Sequence, residues 1–312
     1  MSRRGEIGRA LKLVALLAAA ALVLFPASAL AKKKHKKPKA LGPVVTVTAT
    51  GNTVSGSTGA VSTAVATCPS GTVVIGGGFS APLLSSTSQI GVVDSYRTAP
   101  GSWTVSAVEL GGSGAATADA YCRRTSKSIT DVAATGTVPS GAATSGSAAA
   151  SCPGGTQLVA GGFQSSRGPD PSSLALPLTN MASGSTWTLV SANNSTTTAQ
   201  TITAHAYCLA GIRAPTLVSS QTSATLAQFQ TVQATSPSCP IPKKGKKSKK
   251  GKKKKKPGQL LSAGGFSTPA PTSMPFPLFV NSSAGASGWV ATAINASGPS
   301  GSISVTSQGI CV

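Results

Sequence analysis

The chain has 312 residues, 27 Lys+Arg against 6 Asp+Glu, a formal net charge of +21 and only 4% aromatic residues. Two histidines leave too little imidazole for a histidine-based metal centre, and so few acids leave little material for paired-carboxylate catalysis. The length exceeds one small domain, and 35 glycines with 21 prolines favour turns over long helices.

Residues 1–31 have the pattern of a signal peptide. Arg3, Arg4, Arg9 and Lys12 form a charged start, and Leu13 to Phe25 is an unbroken apolar run. Pro26 ends it, and Ala27-Ser28-Ala29 and Ala29-Leu30-Ala31 are both small-x-small cleavage sites. A spanning helix needs about 20 apolar residues, so a cleaved leader is expected rather than an anchor. Ser2-Arg3-Arg4 hints at a twin-arginine signal, but Glu6 stands where an apolar residue should follow, which favours the general secretory route. The first cysteine is Cys68, which leaves no residue for a lipoprotein anchor. No second apolar segment of spanning length follows. Residues 32–41 carry six lysines and read as a disordered tail.

From residue 42 the chain spells one sentence three times. Copy one reads Cys68-Pro69, Gly77-Gly78-Phe79, Trp103 and Tyr121-Cys122. Copy two reads Cys152-Pro153, Gly161-Gly162-Phe163, Trp187 and Tyr207-Cys208. Copy three reads Cys239-Pro240, Gly264-Gly265-Phe266, Trp289 and Ile310-Cys311. A period of about 85 residues suits one small domain per copy, at 42–126, 127–213 and 214–312. Copy three is longer because 241–258 holds a lysine-rich insertion, cheap in closure entropy when placed in a turn. Alternating stretches such as Val44–Thr48, Thr72–Ile75, Trp103–Ala107 and Thr201–Cys208 predict antiparallel strands. The expected fold class is all-β: three tandem, disulfide-stapled, β-sandwich-like repeats with a disordered polybasic tail and loop. In copy one Trp103, Val105 and Ala107 share a face. In copy two Ile202, Ala204, Ala206 and Cys208 do. So small a core per copy is marginal alone.

Six cysteines allow fifteen pairings. The repeat selects Cys68–Cys122, Cys152–Cys208 and Cys239–Cys311; any swapped or intermolecular pairing breaks its symmetry. Each closes a loop that chain-entropy arithmetic values at about 4 kcal/mol. The order Cys, Trp, Cys is shared with immunoglobulin domains, but Trp103 lies far nearer Cys122 than Cys68, nearly the reverse of their proportions. No C-x-x-C pair points to a metal. The motif set resembles the repeats of uncharacterised exported bacterial proteins of the form C-P-x-G…G-G-F…W-x-V…Y-C. The resemblance covers roughly residues 42–312, with departures at the insertion and at Ile310. It implies export and a β fold, and nothing chemical.

Four local signals have plainer readings. Gly76-Gly77-Gly78-Phe79 lacks the helix and lysine of a phosphate loop, and reads as a bulge bringing two strands close. His205 is the sole histidine of the repeats, and its equivalents are Asp119 and Gln308, so the position reads as a solvated strand face. No acid or base recurs in all three copies, so no enzyme activity and no cofactor are expected. Asn193, Asn194, Asn281 and Asn295 begin N-x-S/T sequons and read as turn residues.

The charge is concentrated. The repeats hold six basic residues (Arg97, Arg123, Arg124, Lys127, Arg167, Arg213) against Asp94, Glu109, Asp119, Asp131 and Asp170. The insertion alone holds Lys243, Lys244, Lys246, Lys247, Lys249, Lys250, Lys252, Lys253, Lys254, Lys255 and Lys256. Lysines without interleaved aromatics suit diffuse attachment to a polyanion, with no base stacking and no sequence reading. The expectation is a secreted, non-enzymatic surface or envelope protein, its lysines on anionic envelope polymers or other extracellular polyanions. Its repeats would then be a spacer or ligand-presenting body. The alternative is a carbohydrate- or protein-binding module with its site on repeat loops.

Overall fold

Val61–Thr67 alternates buried and exposed along its length, the period-two signature of a strand with one face on a core. Such stretches dominate the computed structural model, which describes residues 42–56, 59–83, 85, 88–167, 173–240, 261–269, 277–296 and 298–312. Residues 1–41, which include the expected signal peptide and polybasic tail, and the lysines of the insertion lie outside the described residues.

Among the described residues the chain forms strands and no helix. Copy one gives β1 (Val45–Thr50), β2 (Val54–Ser55), β3 (Val61–Thr67), β4 (Val73–Ser80), β5 (Ser88–Ala99), β6 (Ser102–Gly114) and β7 (Thr117–Arg123). Copy two gives β8 (Ile129–Val138), β9 (Ser145–Ser151), β10 (Thr156–Ser165), β11 (Ala175–Ser183), β12 (Thr186–Asn193) and β13 (Gln200–Ala210). Copy three gives β14 (Thr216–Leu226), β15 (Thr231–Thr235), β16 (Leu261–Ser267), β17 (Pro277–Ala284), β18 (Trp289–Asn295) and β19 (Gly301–Cys311).

These strands make three antiparallel sheets, and every sheet is shared by two copies. The first runs β1-β7-β4-β17-β18-β15, joining copies one and three. The second runs β2-β6-β5-β10-β13-β8, with β3 also on β6, joining copies one and two. The third runs β14-β19-β16-β11-β12-β9, joining copies three and two. Each copy thus splits into two half-sheets, and copy three closes back on copy one. The copies were expected as tandem units; they interlock, and residues 38–312 form one compact unit.

Interlocking pools the small cores. Phe79, Phe163 and Phe266, one from each copy, meet edge-on with ring centroids 6.0, 5.8 and 6.1 Å apart. All three are buried, and edge-to-face pairs add about 0.5–1.5 kcal/mol each beyond their area. The two faces expected from register are buried as well: Trp103, Val105 and Ala107 in copy one, and Ile202, Ala204, Ala206 and Cys208 in copy two.

The Gly-Gly-Phe motif is the joint. A Cβ on the first glycine (Gly77, Gly161 or Gly264) would overlap the indole of the same copy's Trp. A Cβ on the second (Gly78, Gly162 or Gly265) would strike a backbone carbonyl of the neighbouring copy, at Ser282, Ser95 or Asn180. There the half-sheets touch, through pairs such as Phe163↔Ser95 and Asn180↔Phe266. A bulge precedes each motif, as register shifts between Val74 and Gly76, Leu158 and Ala160, and Leu261 and Ala263. The close approach expected of the glycines is therefore an approach between copies.

Candidate functional site

The three disulfides join Cys68 to Cys122, Cys152 to Cys208 and Cys239 to Cys311. Each lies where a Cys-Pro turn meets the close of a copy's last strand. In copies one and two the turn is four residues, closed by the N–H of Thr72 on the Pro69 carbonyl and of Thr156 on the Pro153 carbonyl. Hairpin tips gather at the same end: Cys68 N–H donates to the Gly101 carbonyl and Cys152 N–H to Ser185. This disulfide end also receives the links between copies, since Lys127 Nζ donates to the Ala210 carbonyl at 2.7 Å. β4, β10 and β16 run from this end to the opposite one, where they finish at Ser80, Ser165 and Ser267.

Each motif Trp is anchored by a hydrogen bond within its own copy, and the tyrosines latch copies together. The indole N–H donates to Ser95 Oγ from Trp103 (3.0 Å), to Asn180 Oδ1 from Trp187 (2.6 Å) and to Ser282 Oγ from Trp289 (2.9 Å). Tyr121 packs on Trp289 of copy three and accepts the Ala284 N–H at 2.7 Å. Tyr207 packs on Trp103 of copy one and accepts the Arg97 N–H at 2.7 Å. Burial pushes both phenols up, so they stay protonated. Copy three has Ile310 in place of tyrosine. Its Gln308 takes over, accepting the Ala182 N–H at 2.8 Å and donating to the Ala182 carbonyl at 3.0 Å. Arg97, Ala182 and Ala284 are equivalent, each being the register partner of its copy's Trp.

That corrects the reading of Asp119, His205 and Gln308 as a solvated face. Asp119 is half-buried and bonded to Thr48 Oγ1 at 2.6 Å, but His205 is 8% exposed and Gln308 5%. The imidazole stacks on Tyr96 (5.2 Å) and on Tyr207 (6.3 Å). Its Nδ1 faces Asp131 Oδ1 at 3.3 Å and its Nε2 faces Gln164 Oε1 at 2.8 Å. Both nitrogens are held by strand side chains, and the cluster ties β13 to β8, β10 and β5. The structural role accounts for every contact of the ring.

A second polar contact crosses copies at the opposite end. Asp94 on β5 accepts the Ser165 N–H at 3.0 Å and pairs with Arg167 Nη2 at 3.2 Å. Burial pushes its carboxyl above the ordinary 3.8, against the pull of the Ser165 bond and the Arg167 charge. The folded chain therefore holds this proton more tightly than the unfolded chain, and stability falls as pH rises through the window above 3.8. Asp94→Asn keeps an acceptor for Ser165 and removes the buried charge. It should melt at or above the wild-type temperature at pH 7, and lose that advantage as the pH falls through the window above 3.8. Thermal unfolding across pH checks this; a variant less stable at pH 7 and unchanged in acid would reverse the sign.

Sequence reading missed one further group. Arg123 is 1% exposed, with Nε and Nη2 both lacking a hydrogen-bond partner. Burial pushes it down to about 10, and it remains a cation at neutral pH. Its equivalents Leu209 and Val312 are apolar, a break in the repeat that is visible in the sequence.

Among the described residues no three His, Cys, Asp or Glu side chains gather in a metal-holding group, and no helix is long and apolar enough to cross a membrane. A hollow of about 300 Å³ lies at the disulfide end and is lined by Gln157, Leu158, Gly184, Ser185, Ala214, Pro215 and Leu217. It presents no charged side chain. The expected polyanion-binding lysines lie outside the described residues, so the structure places only their attachments, at Pro240 and Leu261. No protein-family model matches this chain, and no curated protein matches it either.

Proposed function

We propose that this is an exported, non-enzymatic protein of the cell surface or envelope, held by its lysine tracts to anionic polymers. The β body acts as a stapled spacer or ligand-presenting unit. One observation carries the reading: seventeen lysines sit in 32–39 and 243–256, while the repeats hold six basic residues against five acidic ones. A near-neutral body with two polycations is built for attachment by charge. Three disulfides supply the stability such a body needs in an oxidising compartment.

The test is co-sedimentation of mature protein with isolated cell envelopes across a salt series, beside a variant lacking 243–256. Wild type should pellet at low salt and release steeply, because each neutralised phosphate adds about 0.7–0.9 to the slope of log affinity against log salt. The variant should stay largely soluble. Equal, salt-resistant pelleting of both would move recognition to the repeats, and failure of both to pellet would end the envelope reading.

A further inference from the structure

The near-neutral body is electrically split along its length. Five of its six cations (Arg97, Arg123, Arg124, Lys127 and Arg213) lie in the disulfide half. Arg123 and Arg124 follow Cys122, Arg213 follows Cys208 by five residues, and Lys127 bonds to Ala210. Arg97 pairs with Trp103, beside the Gly101 carbonyl that holds Cys68. The described acids there are Asp131, which is engaged by His205, and Asp119, three residues before Cys122, which accepts from Thr48 Oγ1. At the other end Arg167 is paired with Asp94, and Glu109 is buried nearby against the connection at Gly59 and Ala60. Counting these described groups, the disulfide half carries five positive charges and two negative, the opposite half one positive and two negative.

The lysine tracts join the same end. Val45, the first residue of β1, pairs with Cys122, so the chain arrives from 32–41 beside that disulfide. The insertion begins two residues after Cys239 and returns at Leu261, which pairs with Cys311. The repeat is cyclic, so these equivalent positions share one end of the body.

We propose that the disulfide end is itself a binding face for a linear phosphate polymer, engaged end-on through Arg124, Lys127 and Arg213. These three side chains belong to exposed residues. Arg123, next to Arg124 in the chain, is buried with Nε and Nη2 lacking a hydrogen-bond partner, and its charge adds to the local potential; burial with no acid partner is costly until an anion approaches. Arginine forks suit phosphate oxygens, and Lys127 keeps two N–H donors free after its bond to Ala210. The polymer then meets one end, and β4, β10 and β16 run away from it. This rests on the charge-tether reading and adds to it an orientation and three named side chains.

The experiment measures equilibrium binding of the full mature chain to immobilised long-chain inorganic polyphosphate across a salt series. One variant carries Arg124→Gln, Lys127→Gln and Arg213→Gln together; another carries Arg167→Gln at the opposite end. Melting temperatures confirm that each is folded. The triple variant should lose about 2 units of the salt slope, at about 0.7 per lost phosphate contact, and Arg167→Gln should keep the wild-type slope. A triple variant with the wild-type slope overturns the end-on face while leaving the tract reading intact. Equal per-charge losses in both variants also overturn it, because attraction would then follow net charge and not position. Wild type that fails to bind polyphosphate removes the tether reading and this one with it.

Discussion

Deleting residues 214–312 should unfold the two copies that remain. Without copy three, β1-β7-β4 loses its neighbours β17, β18 and β15, and β11-β12-β9 loses β14, β19 and β16. Two of three sheets become three-stranded remnants with bare inner faces. Phe79 and Phe163 lose Phe266 between them, and Tyr121 loses both its Trp289 contact and its Ala284 bond. Only the sheet of copies one and two survives in outline, and a single sheet with one uncovered face has no independent core. Near-ultraviolet circular dichroism and limited proteolysis of residues 42–213 check this. The fragment should lack fixed tertiary signal and be cut rapidly, whereas the full body should melt in one cooperative transition. A fragment that keeps a sharp melt and protease resistance would mean that each copy stands alone.

The same sharing explains what sequence could and could not show. Cysteine pairing was legible because three equivalent pairs leave one symmetric solution. Strand class was legible because Val61–Thr67 and Gln200–Ala210 alternate in period two. The partner of each half-sheet was not. Moving β5, β6 and β3 from their own copy to the next preserves the repeat's local chemistry: each Trp still meets its own first glycine, and each second glycine still meets a carbonyl. A repeat sequence is therefore nearly silent on whether its contacts lie within a copy or between copies. Ile310 showed the limit most clearly. Ile310 takes the place of the tyrosine in copy three, yet Gln308, two residues earlier, supplies a side-chain acceptor for the equivalent backbone N–H, that of Ala182, across the interface. For the candidate site, the charge total was legible and its polarity was not, because the β5–β6 pairing brings Arg97 beside Cys68 and the cyclic closure brings Arg213 to the same end.

Gly161→Ala should be among the most damaging single methyl additions to this protein. In an ordinary strand the change is mildly favourable, since alanine loses less backbone entropy on folding. Here the new Cβ would fall within the indole ring of Trp187, which is fully buried and anchored to Asn180 Oδ1. Neither side can yield cheaply. Gly161 lies on a strand paired with β13 at Ala206, and the indole is enclosed by core, so the ring must leave its pocket. Leaving breaks the Asn180 bond and opens a void in the buried core, at a cost of about 3–5 kcal/mol, comparable to removing a large aromatic side chain. For a body of this size that lowers the melting temperature by roughly 10 °C. Gly154→Ala is the control in the same copy, because a Cβ there meets nothing within 4 Å. Thermal melts of the two variants should separate widely, with quenching or red-shift of Trp187 fluorescence only in Gly161→Ala. Equal melting temperatures would mean that the glycine serves turn geometry alone and that the indole does not depend on its missing side chain.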